Sequence, residues 1–328
     1  MRKILTALMM AGGIWAAPGL ATVALAQSDF PLRPIKMIVP FPPGGGIDVT
    51  ARIAAQAMTE VLGQQVVVQN QGGAGGAIAT DAVVKSTPDG YTLLYHSTTG
   101  IVHAAVTENL PYDWMRDLAP VSLVTRFAPV MIVTPTLPVN NLKEFIALLK
   151  ANPGKYSFAS SGKGTAVHLA EVLFLQKAGV EMVHVPYHGT GAAMPDILTG
   201  RVAMMIDGVP VQTENIRKGT VRALAVTTGT RSPSIPDVPT MKESGLDYEV
   251  PFWTAIYAPI ETPKPIVDKL AAAIRKAMHQ DAVIKRLADV GTEAVGSGPA
   301  ELDALTHQQF DLYRGIVRND KSLLGESP

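Results

Sequence analysis

Four short segments of the chain concentrate glycine together with hydroxyl side chains, and they are the strongest candidates for chemistry. They are residues 40–48, 97–100, 160–165 and 187–191. They offer backbone N–H and hydroxyl donors rather than arginines or paired acids. Hydrogen bonds to a charged group are worth about 1.5–3 kcal/mol each, so three or four of them would hold a small anion with a dissociation constant of about 1 μM. The segments therefore indicate a binding site for a small anion.

The segment 40–48 follows a short apolar run, Ile35–Val39, which predicts a buried strand. Prolines and three consecutive glycines exclude a helix or strand interior from Pro40 to Gly46. Asp48 stands where a helix N-cap is expected, ahead of apolar residues at helical spacing. A strand, a glycine turn and a helix start expose backbone N–H groups to an anion. The alternative is a tight strand-to-helix turn that binds no ligand.

Two glycine-rich turns resemble nucleotide-binding motifs but depart from them. A G-x-G-x-x-G motif that begins at Gly73 requires glycine where the chain has Ile78. A P-loop built on Gly162 requires glycine where the chain has Ser157. We therefore expect no nucleotide at either turn.

Serine hydrolysis is an alternative use of the segment 160–165. Ser160 and Ser161 could act as nucleophiles with His168 as the base. No G-x-S-x-G motif occurs. His168 also lies three residues after Thr165 in a predicted helix, where a histidine more often packs or braces a loop.

A metal site finds little support. His184 and His188 are the closest pair of histidines, but Pro186 between them prevents both from lying on one helix face. The chain has no cysteine, which excludes disulfides, thiolate nucleophiles and cysteine-ligated metals. We expect no metal and no cofactor.

Strands and helices alternate along the chain, and the candidate segments follow strands. This alternation predicts an α/β fold with parallel sheets and helices on both faces, in which ligands bind at the carboxyl ends of strands. A break near residues 126–142 predicts two lobes with a cleft between them. The predicted strands are 35–39, 65–69, 91–96, 129–134, 157–159, 182–185, 202–206, 221–226 and 252–258, and the clearest predicted helices are 142–151, 166–178, 192–198, 266–277, 282–290 and 299–317.

The N-terminus has the pattern of a signal peptide. Arg2 and Lys3 precede an uncharged run from Ile4 to Leu25, and Ala24-Leu25-Ala26 is an A-x-A cleavage site. The alternative is an uncleaved membrane anchor, against which its glycines and proline argue. Lys+Arg and Asp+Glu both number 28, so no bulk charge attracts nucleic acid. We expect an exported, soluble protein that binds no nucleic acid.

The chain resembles the solute receptors of tripartite tricarboxylate transporters, also called Bug-type receptors. The resemblance covers nearly all of the mature chain in order. It is specific for the family and weak on the ligand. The motifs that carry it are PFPPGG with Asp48 (40–48), GGAGG (72–76), PDGYTLL (88–94), SSG, GT and HLA (160–170), HVPY with Gly189 (184–189), RALAVT (222–227) and PDVPT (236–240).

The resemblance implies a two-lobe periplasmic binding protein of type II, a Venus flytrap in which each lobe is a mostly parallel sheet flanked by helices. Residues 1–26 would be the signal peptide, residues 27–126 with 250–328 the first lobe, and residues 127–249 the second lobe. The family's members bind ligands and catalyse no reaction, so we expect no catalytic residues. We expect a monomer.

The resemblance also implies a ligand site between the lobes. In the family, loops that match Phe41–Asp48 and Ser160–Thr165 converge on one ligand carboxylate, while residues from other loops contact the rest of the ligand. One departure is the segment 100–106, which carries His103 where the family usually has an Asn-Pro pair. The predicted ligand-binding residues are Phe41, Pro42, Gly44, Gly45, Asp48, Ser97, Thr98, Ser160, Ser161, Gly164, Thr165, His168, Tyr187 and Asp207.

Three functions remain open from the sequence. The first is a receptor that closes around a small organic carboxylate or a related amide, with hinges near 125–127 and 249–252, and delivers it to the permease subunits of a membrane transporter. The second is a sensor that reports ligand binding to a membrane signalling protein. The third is a secreted hydrolase that uses Ser161 and His168. The sequence does not choose between dicarboxylates, aromatic carboxylates, amino acids and amides.

Overall fold

A computed structural model describes residues 30–319, and within them eleven strands form two sheets. The predicted signal peptide and its cleavage after Ala26 lie outside the described residues. In chain order the strands are Ile35–Val39 (β1), Val66–Asn70 (β2), Thr92–Ser97 (β3), Leu118–Phe127 (β4), Pro129–Val133 (β5), Ser157–Ser160 (β6), Val183–Pro186 (β7), Met204–Gly208 (β8), Arg222–Val226 (β9), Phe252–Pro259 (β10) and Thr292–Ala294 (β11).

Helices occupy most of the connections between these strands. None of the helices in the described part of the chain is long and apolar enough to span a membrane. In chain order the helices are Gly46–Leu62 (α1), Ala77–Val84 (α2), Thr98–Val106 (α3), Trp114–Asp117 (α4), Leu142–Ala151 (α5), Ala166–Ala178 (α6), Thr190–Leu198 (α7), Val209–Arg217 (α8), Lys264–Met278 (α9), Asp281–Asp289 (α10) and Pro299–Asn319 (α11).

The six-stranded sheet has the order β11-β4-β10-β3-β1-β2, and the five-stranded sheet has the order β7-β6-β8-β5-β9. In each sheet, three neighbouring strands are parallel: β2, β1 and β3 in the first, and β7, β6 and β8 in the second. The remaining pairs are antiparallel. The α/β architecture is thus confirmed, and the expectation of mostly parallel sheets is corrected to mixed sheets.

Two of the antiparallel strands, β5 and β10, are the first strands that the chain forms after it crosses from one sheet to the other. A single residue, Ala128, separates β4 in the six-stranded sheet from β5 in the five-stranded sheet. On its return the chain enters as β10, between β3 and β4. A parallel neighbour requires a long crossover connection, usually a helix. Neither β5 nor β10 arrives through such a helix, so each can run against its neighbours.

Most predicted elements are present, and two predictions need correction. Residues 97–100 were expected to form only a turn, but Ser97 caps α3 by accepting a hydrogen bond from the backbone N–H of Thr99 (3.3 Å). Gly100 and β-branched residues give this segment a low helix propensity, and packing against α6 and α11 favours the helix. Asp48 is not an N-cap, because α1 begins at Gly46 with Gly45 as its cap.

A network of buried hydroxyl groups joins α1 to the middle of the six-stranded sheet. The Tyr95 hydroxyl of β3 donates to Thr50 Oγ1 (3.0 Å) and lies 2.7 Å from Thr254 Oγ1 of β10. Thr254 Oγ1 in turn lies 2.6 Å from Thr125 Oγ1 of β4. The network therefore fixes β10 between its two neighbours.

We expect Tyr95→Phe to lower the free energy of unfolding by about 1–3 kcal/mol, because it removes two buried hydrogen bonds, those to Thr50 and Thr254. Urea denaturation monitored by circular dichroism measures this loss. Tyr156→Phe is the matched control, since the Tyr156 hydroxyl makes no hydrogen bond among the described contacts and its loss should change little. Equal stability of Tyr95→Phe and the wild-type protein would contradict the role of the network.

Candidate functional site

A cavity of about 630 Å³ lies between the two sheets. This volume is within the usual range for sites that bind small molecules. The six-stranded side contributes Phe41, Pro42, Pro43, Gly44, Gly45, Gly46, Ile47, Val49, Thr50, Ser97, Thr98, Thr99, Phe252, Val290 and Thr292. The five-stranded side and the strand leading into it contribute Phe127, Ser161, Ala166, Val167, His188, Gly189, Thr190, Gly191, Ala192, Asp207, Gly208, Pro210 and Val211.

Five helices begin at the wall of this cavity. They are α1 and α3 on the six-stranded side and α6, α7 and α8 on the five-stranded side. Each follows a strand of a parallel group, namely β1, β3, β6, β7 or β8, and the carboxyl ends of parallel strands meet at one edge of their sheet. The first turn of a helix leaves backbone N–H groups without an intrahelical acceptor and carries a partial positive charge.

The side chains that line the cavity supply almost no charge of their own. The described lining residues include no lysine and no arginine, one histidine (His188) and one acid (Asp207). The helix N-termini are therefore the principal source of positive potential in the cavity, and an anion is the ligand that such a field favours.

The proline-glycine turn is held in shape by Asp48. The Gly44 N–H donates to Asp48 Oδ2 (2.9 Å), and Gly44 has a φ of 82°, which favours glycine. Arg52 Nε also donates to Oδ2 (2.9 Å), and Asn70 Nδ2 donates to Oδ1 (2.8 Å). Burial raises the pKa of Asp48, but these hydrogen bonds outweigh burial and bring it below its usual range. Asp48 does not line the cavity; it positions the turn that does.

Asn70 was missed by the sequence reasoning. It is the last residue of β2, and its side-chain amide also donates to the Phe41 carbonyl (2.9 Å). One amide thereby ties the start of the turn to the Asp48 carboxylate. A weak signal for its role is that Asn70 directly precedes a second glycine-rich turn in the same strand-turn-helix order.

The double-serine loop is held by its own hydroxyl groups. Ser161 Oγ donates to Thr165 Oγ1 (3.0 Å), and Thr165 Oγ1 donates to the Gly162 carbonyl (2.8 Å). Thr165 is also the N-cap of α6, accepting from the His168 backbone N–H. Gly164, with a φ of 73°, completes the turn. Of these residues Ser161 lines the cavity, and the others orient it and the start of α6.

Two stacked histidines support this loop from behind. His168 Nδ1 accepts from the Gly164 N–H (3.2 Å), and the ring of His168 stacks on that of His184 with centroids 4.1 Å apart. Ser160 Oγ accepts from the Gly162 N–H (3.1 Å) and is hydrogen-bonded to His184 Nε2 (2.6 Å). Burial, His184 and Lys163 lower the pKa of His168 to about 3. Burial and Lys163 lower the pKa of His184 to about 4.

The pairing of Ser161 with His168 that a serine hydrolase would need is absent from the described contacts. Ser161 bonds to Thr165, while the Nδ1 atom of His168 is occupied by Gly164. His168 therefore braces the loop, which was the alternative reading of its position.

The remaining predicted residues differ in their placement. Ser97 and Thr98 line the cavity, and Thr98 Oγ1 accepts from the Trp253 N–H (2.9 Å). Tyr187 turns away from the cavity and donates to Asp196 Oδ2. Asp207 lines the cavity at the end of β8.

The predicted set thus divides into two groups. The residues at the cavity wall are Phe41, Pro42, Gly44, Gly45, Ser97, Thr98, Ser161 and Asp207. Those that lie behind the wall are Asp48, Ser160, Gly164, Thr165, His168 and Tyr187.

Several residues of the cavity wall are not among the predicted ligand-binding residues. The wall residues Thr99, Val167 and Gly191 lie in first turns of helices, and a strand followed by a helix start could have indicated them. The aromatic wall of Phe127 and Phe252, with ring centroids 5.9 Å apart, comes from residues distant in sequence and gave no local signal.

His103, the departure in segment 100–106, does not line the cavity. A Cβ atom placed on Gly75 would lie 2.4 Å from His103 Cδ2, and one placed on Gly164 would lie 3.9 Å from it. Burial lowers the pKa of His103. His103 therefore packs between two glycine turns. Among the residues described, no group of histidines and acids is arranged to hold a metal ion.

Comparison with known proteins places this chain in a family. A sequence profile described as "Tripartite tricarboxylate transporter family receptor" matches residues 50–320. Protein BugT of Bordetella pertussis (strain Tohama I) is 38% identical over 317 residues, which cover 96% of this chain and 97% of BugT.

Solved structures agree with this match. The structure of periplasmic binding protein BugD has a TM-score of 0.80 and 36% identity, covering 88% of this chain and 98% of that one. The structure of R. palustris Rpa4515 with adipate has a TM-score of 0.84 and 31% identity, covering 92% of this chain and all of that one (100%). The chain is thus similar over nearly its full length to proteins of one kind.

The neutral histidines predict a loss of stability in acid. The unfolded chain protonates His168 and His184 near pH 6.5, whereas the folded protein resists protonation down to about pH 4 for His184 and about pH 3 for His168. Stability is therefore fully present above pH 6.5 and falls as the pH drops below it. We expect a loss of about 2 kcal/mol from His168 at pH 5 and a smaller loss from half-buried His184, whose charge solvent screens, measured by urea denaturation at pH 7 and pH 5.

His168→Asn tests the assignment of this loss. The Asn side-chain oxygen can accept from the Gly164 N–H in place of Nδ1, and it does not titrate, so the variant should lose less stability between pH 7 and pH 5. His279→Asn, at an exposed histidine, should behave as the wild-type protein does. An equal loss in His168→Asn and the wild-type protein would show that His168 is not responsible.

Proposed function

The chain belongs to the tripartite tricarboxylate transporter receptor family, and we propose that it is a periplasmic receptor that captures a small carboxylate and delivers it to a membrane permease. The observation that carries this proposal is the convergence of five helix N-termini on one cavity whose described lining has no lysine or arginine. A carboxylate there would be bound by neutral donors. The adipate of the Rpa4515 structure supports the same ligand class.

We further propose that the two sheets belong to two lobes. Residues 27–126 with 250–328 would form the first lobe, and residues 127–249 the second. The division is supported by the strands, since β1–β4, β10 and β11 form one sheet and β5–β9 the other. The hinges would lie near 125–127 and 249–252, where Phe127 and Phe252 pair across β4 and β10.

Closure of the lobes would couple ligand binding to shape. The starts of α3 and α6 already approach each other, with Thr99 Oγ1 3.5 Å from the Ala166 N–H nitrogen. A carboxylate bound to the N-termini of one lobe would gain its remaining hydrogen bonds only when the other lobe closes. The ligand would therefore favour the closed state through its higher affinity for that state. The permease would bind the closed surface.

In this proposal the protein acts as a monomer, without catalytic residues, cofactor or metal. Its precursor would carry residues 1–26 as a signal peptide, cleaved after Ala26, and the mature protein would work in the periplasm. The description of BugD as a periplasmic binding protein supports this location.

A thermal-shift screen of small carboxylates tests the proposed function. A ligand present at 100 times its dissociation constant should stabilise the protein by about 2.7 kcal/mol, which raises the melting temperature by several degrees. The corresponding amides and alcohols should give smaller shifts, because they lack the charge that the helix N-termini favour. If no carboxylate raises the melting temperature, the proposed function is wrong.

Gly46→Leu tests closure. A Cβ atom placed on Gly46 would lie 3.1 Å from Val211 Cγ2 and 4.0 Å from Pro210 Cβ, on the opposite side of the cleft. A leucine there should hold the lobes apart, so the ligand-induced shift and the compaction seen by small-angle X-ray scattering should both be lost. The melting temperature of the free protein should change little.

Gly315→Leu provides the matched control, because Gly315 is a helical glycine with nothing within 4 Å of its added Cβ. This control should keep the ligand-induced shift. If Gly46→Leu binds the ligand with wild-type affinity and becomes as compact as the wild-type protein, the approach of residue 46 to Val211 and Pro210 does not limit closure.

A further inference from the structure

Helix α3 belongs to the six-stranded side but contacts the double-serine loop on the other side of the cavity. Its first turn places Thr99 Oγ1 3.5 Å from the Ala166 nitrogen. Its last turns lie against the loop, since a Cβ atom placed on Gly164 would lie 3.5 Å from Val106 Cγ2 and 3.9 Å from His103 Cδ2. The helix therefore contributes to the contact between the two proposed lobes, and His103 is its only titratable residue.

His103 occupies the space between this loop and the glycine turn of residues 72–76. A Cβ atom placed on Gly75 would lie 2.4 Å from His103 Cδ2 and 2.7 Å from Nε2, so the ring uses the space that the glycine leaves free. The residue is half-buried, and its Nδ1 atom is buried without a hydrogen-bond partner in the described part of the chain. A neutral imidazole carries one N–H donor, whereas a protonated one carries two. The contact therefore suits the neutral ring, whose Nδ1 atom needs no acceptor.

The helix ends around His103 affect a charged ring differently. Gly164 directly precedes Thr165, the N-cap of α6, and the start of a helix carries a partial positive charge that disfavours a cation. The last turn of α3 carries a partial negative charge that favours one, but this turn accompanies the ring whether the lobes are open or closed. Burial against the loop is the part of the environment that closure changes, and burial disfavours the charged form of histidine.

The other groups packed near His103 do not favour its charged form. The elements packed against α3 are the glycine turn, β3, β10, α6 and α11. The acids of α11 are exposed, and Glu171, the buried acid of α6, accepts a hydrogen bond from β8. Burial lowers the pKa of His103. The titratable groups on the buried sides of these elements, together with the lysine of the loop, are neutral or positive near pH 6. They are His96, Tyr257, Tyr313, His168 and Lys163.

We propose that neutral His103 is a positioning residue for closure, and that its protonation opposes closure and so weakens ligand binding at acidic pH. This inference rests on the proposed function, in which ligand binding requires the lobes to close. In the open state water reaches the ring, which then titrates near its ordinary pKa of about 6.5. The preference for the closed state is therefore fully present above pH 6.5 and falls as the pH drops below it.

Isothermal titration calorimetry at pH 7.5 and pH 5.5 tests this inference. Adipate is the probe, and the carboxylate with the largest shift in the thermal-shift screen replaces it if adipate gives no shift. A group that titrates at pH 6.5 in the open state and stays neutral in the closed state weakens binding by about tenfold between these pH values. The wild-type protein should therefore lose about threefold to tenfold more affinity than His103→Gln, which does not titrate.

Two further variants complete the comparison. His103→Leu also does not titrate and should lose as little affinity between the two pH values as His103→Gln does. His279→Gln is the matched control, because His279 is exposed and bonds to the end of its own helix. This control should lose as much affinity as the wild-type protein. Ionisation of the probe and of other histidines affects all four proteins equally and cancels in the comparison.

A direct titration of the ring keeps the inference testable if the variants at His103 do not fold. In NMR spectra of the wild-type protein, the pKa of His103 should be lower with the probe bound than without it, because closure buries the ring. An unchanged pKa would overturn the inference.

The possible outcomes separate this inference from the proposed function. An equal loss of affinity in the wild-type protein and both variants at His103 would overturn the role of His103 and leave the carboxylate receptor intact. If no carboxylate binds at pH 7.5, the proposed function fails together with this inference.

Discussion

The peptide dipoles of five helices point their positive ends at one cavity, and the rest of the structure serves this arrangement. It arises from chain direction, because β1, β3, β6, β7 and β8 each lead into a helix at the same edge of their parallel group. This positive potential requires no flexible charged side chain, because the backbone N–H groups that produce it are held by their helices. A carboxylate can therefore be recognised without arginine or lysine, and the remaining wall is free to discriminate between ligands.

Polar residues behind the wall keep the N–H groups in place. On the six-stranded side, Asp48 and Asn70 hold the proline-glycine turn. On the five-stranded side, neutral His168 and His184 hold the double-serine loop. These groups act through their hydrogen-bond partners and do not line the cavity. Because their hydrogen bonds depend on protonation state, the geometry of the cavity wall depends on titratable residues that lie behind it.

Much of this architecture is predictable from sequence because apolar runs, proline-glycine turns and helical spacing act locally. The helices 142–151 and 166–178 were predicted at their observed bounds, and Ser161 of the double-serine loop lies at the cavity wall. The reversed strands β5 and β10 were not predictable, since their direction is set by how the two sheets are connected. The sequence also does not distinguish wall residues such as Asp207 from bracing residues such as His168. That distinction depends on the direction in which each side chain points in the folded protein.

Amide NMR of the ¹⁵N-labelled protein tests the central claim most directly. On saturation with a bound carboxylate, the amide protons of Ile47 and Val167, in the first turns of α1 and α6, should shift downfield as they donate to the anion. The ammonium signals of the lysines should stay unchanged. A carboxylate that binds tightly while the amides at the helix starts do not move, or one that shifts lysine or arginine signals instead, would contradict the account.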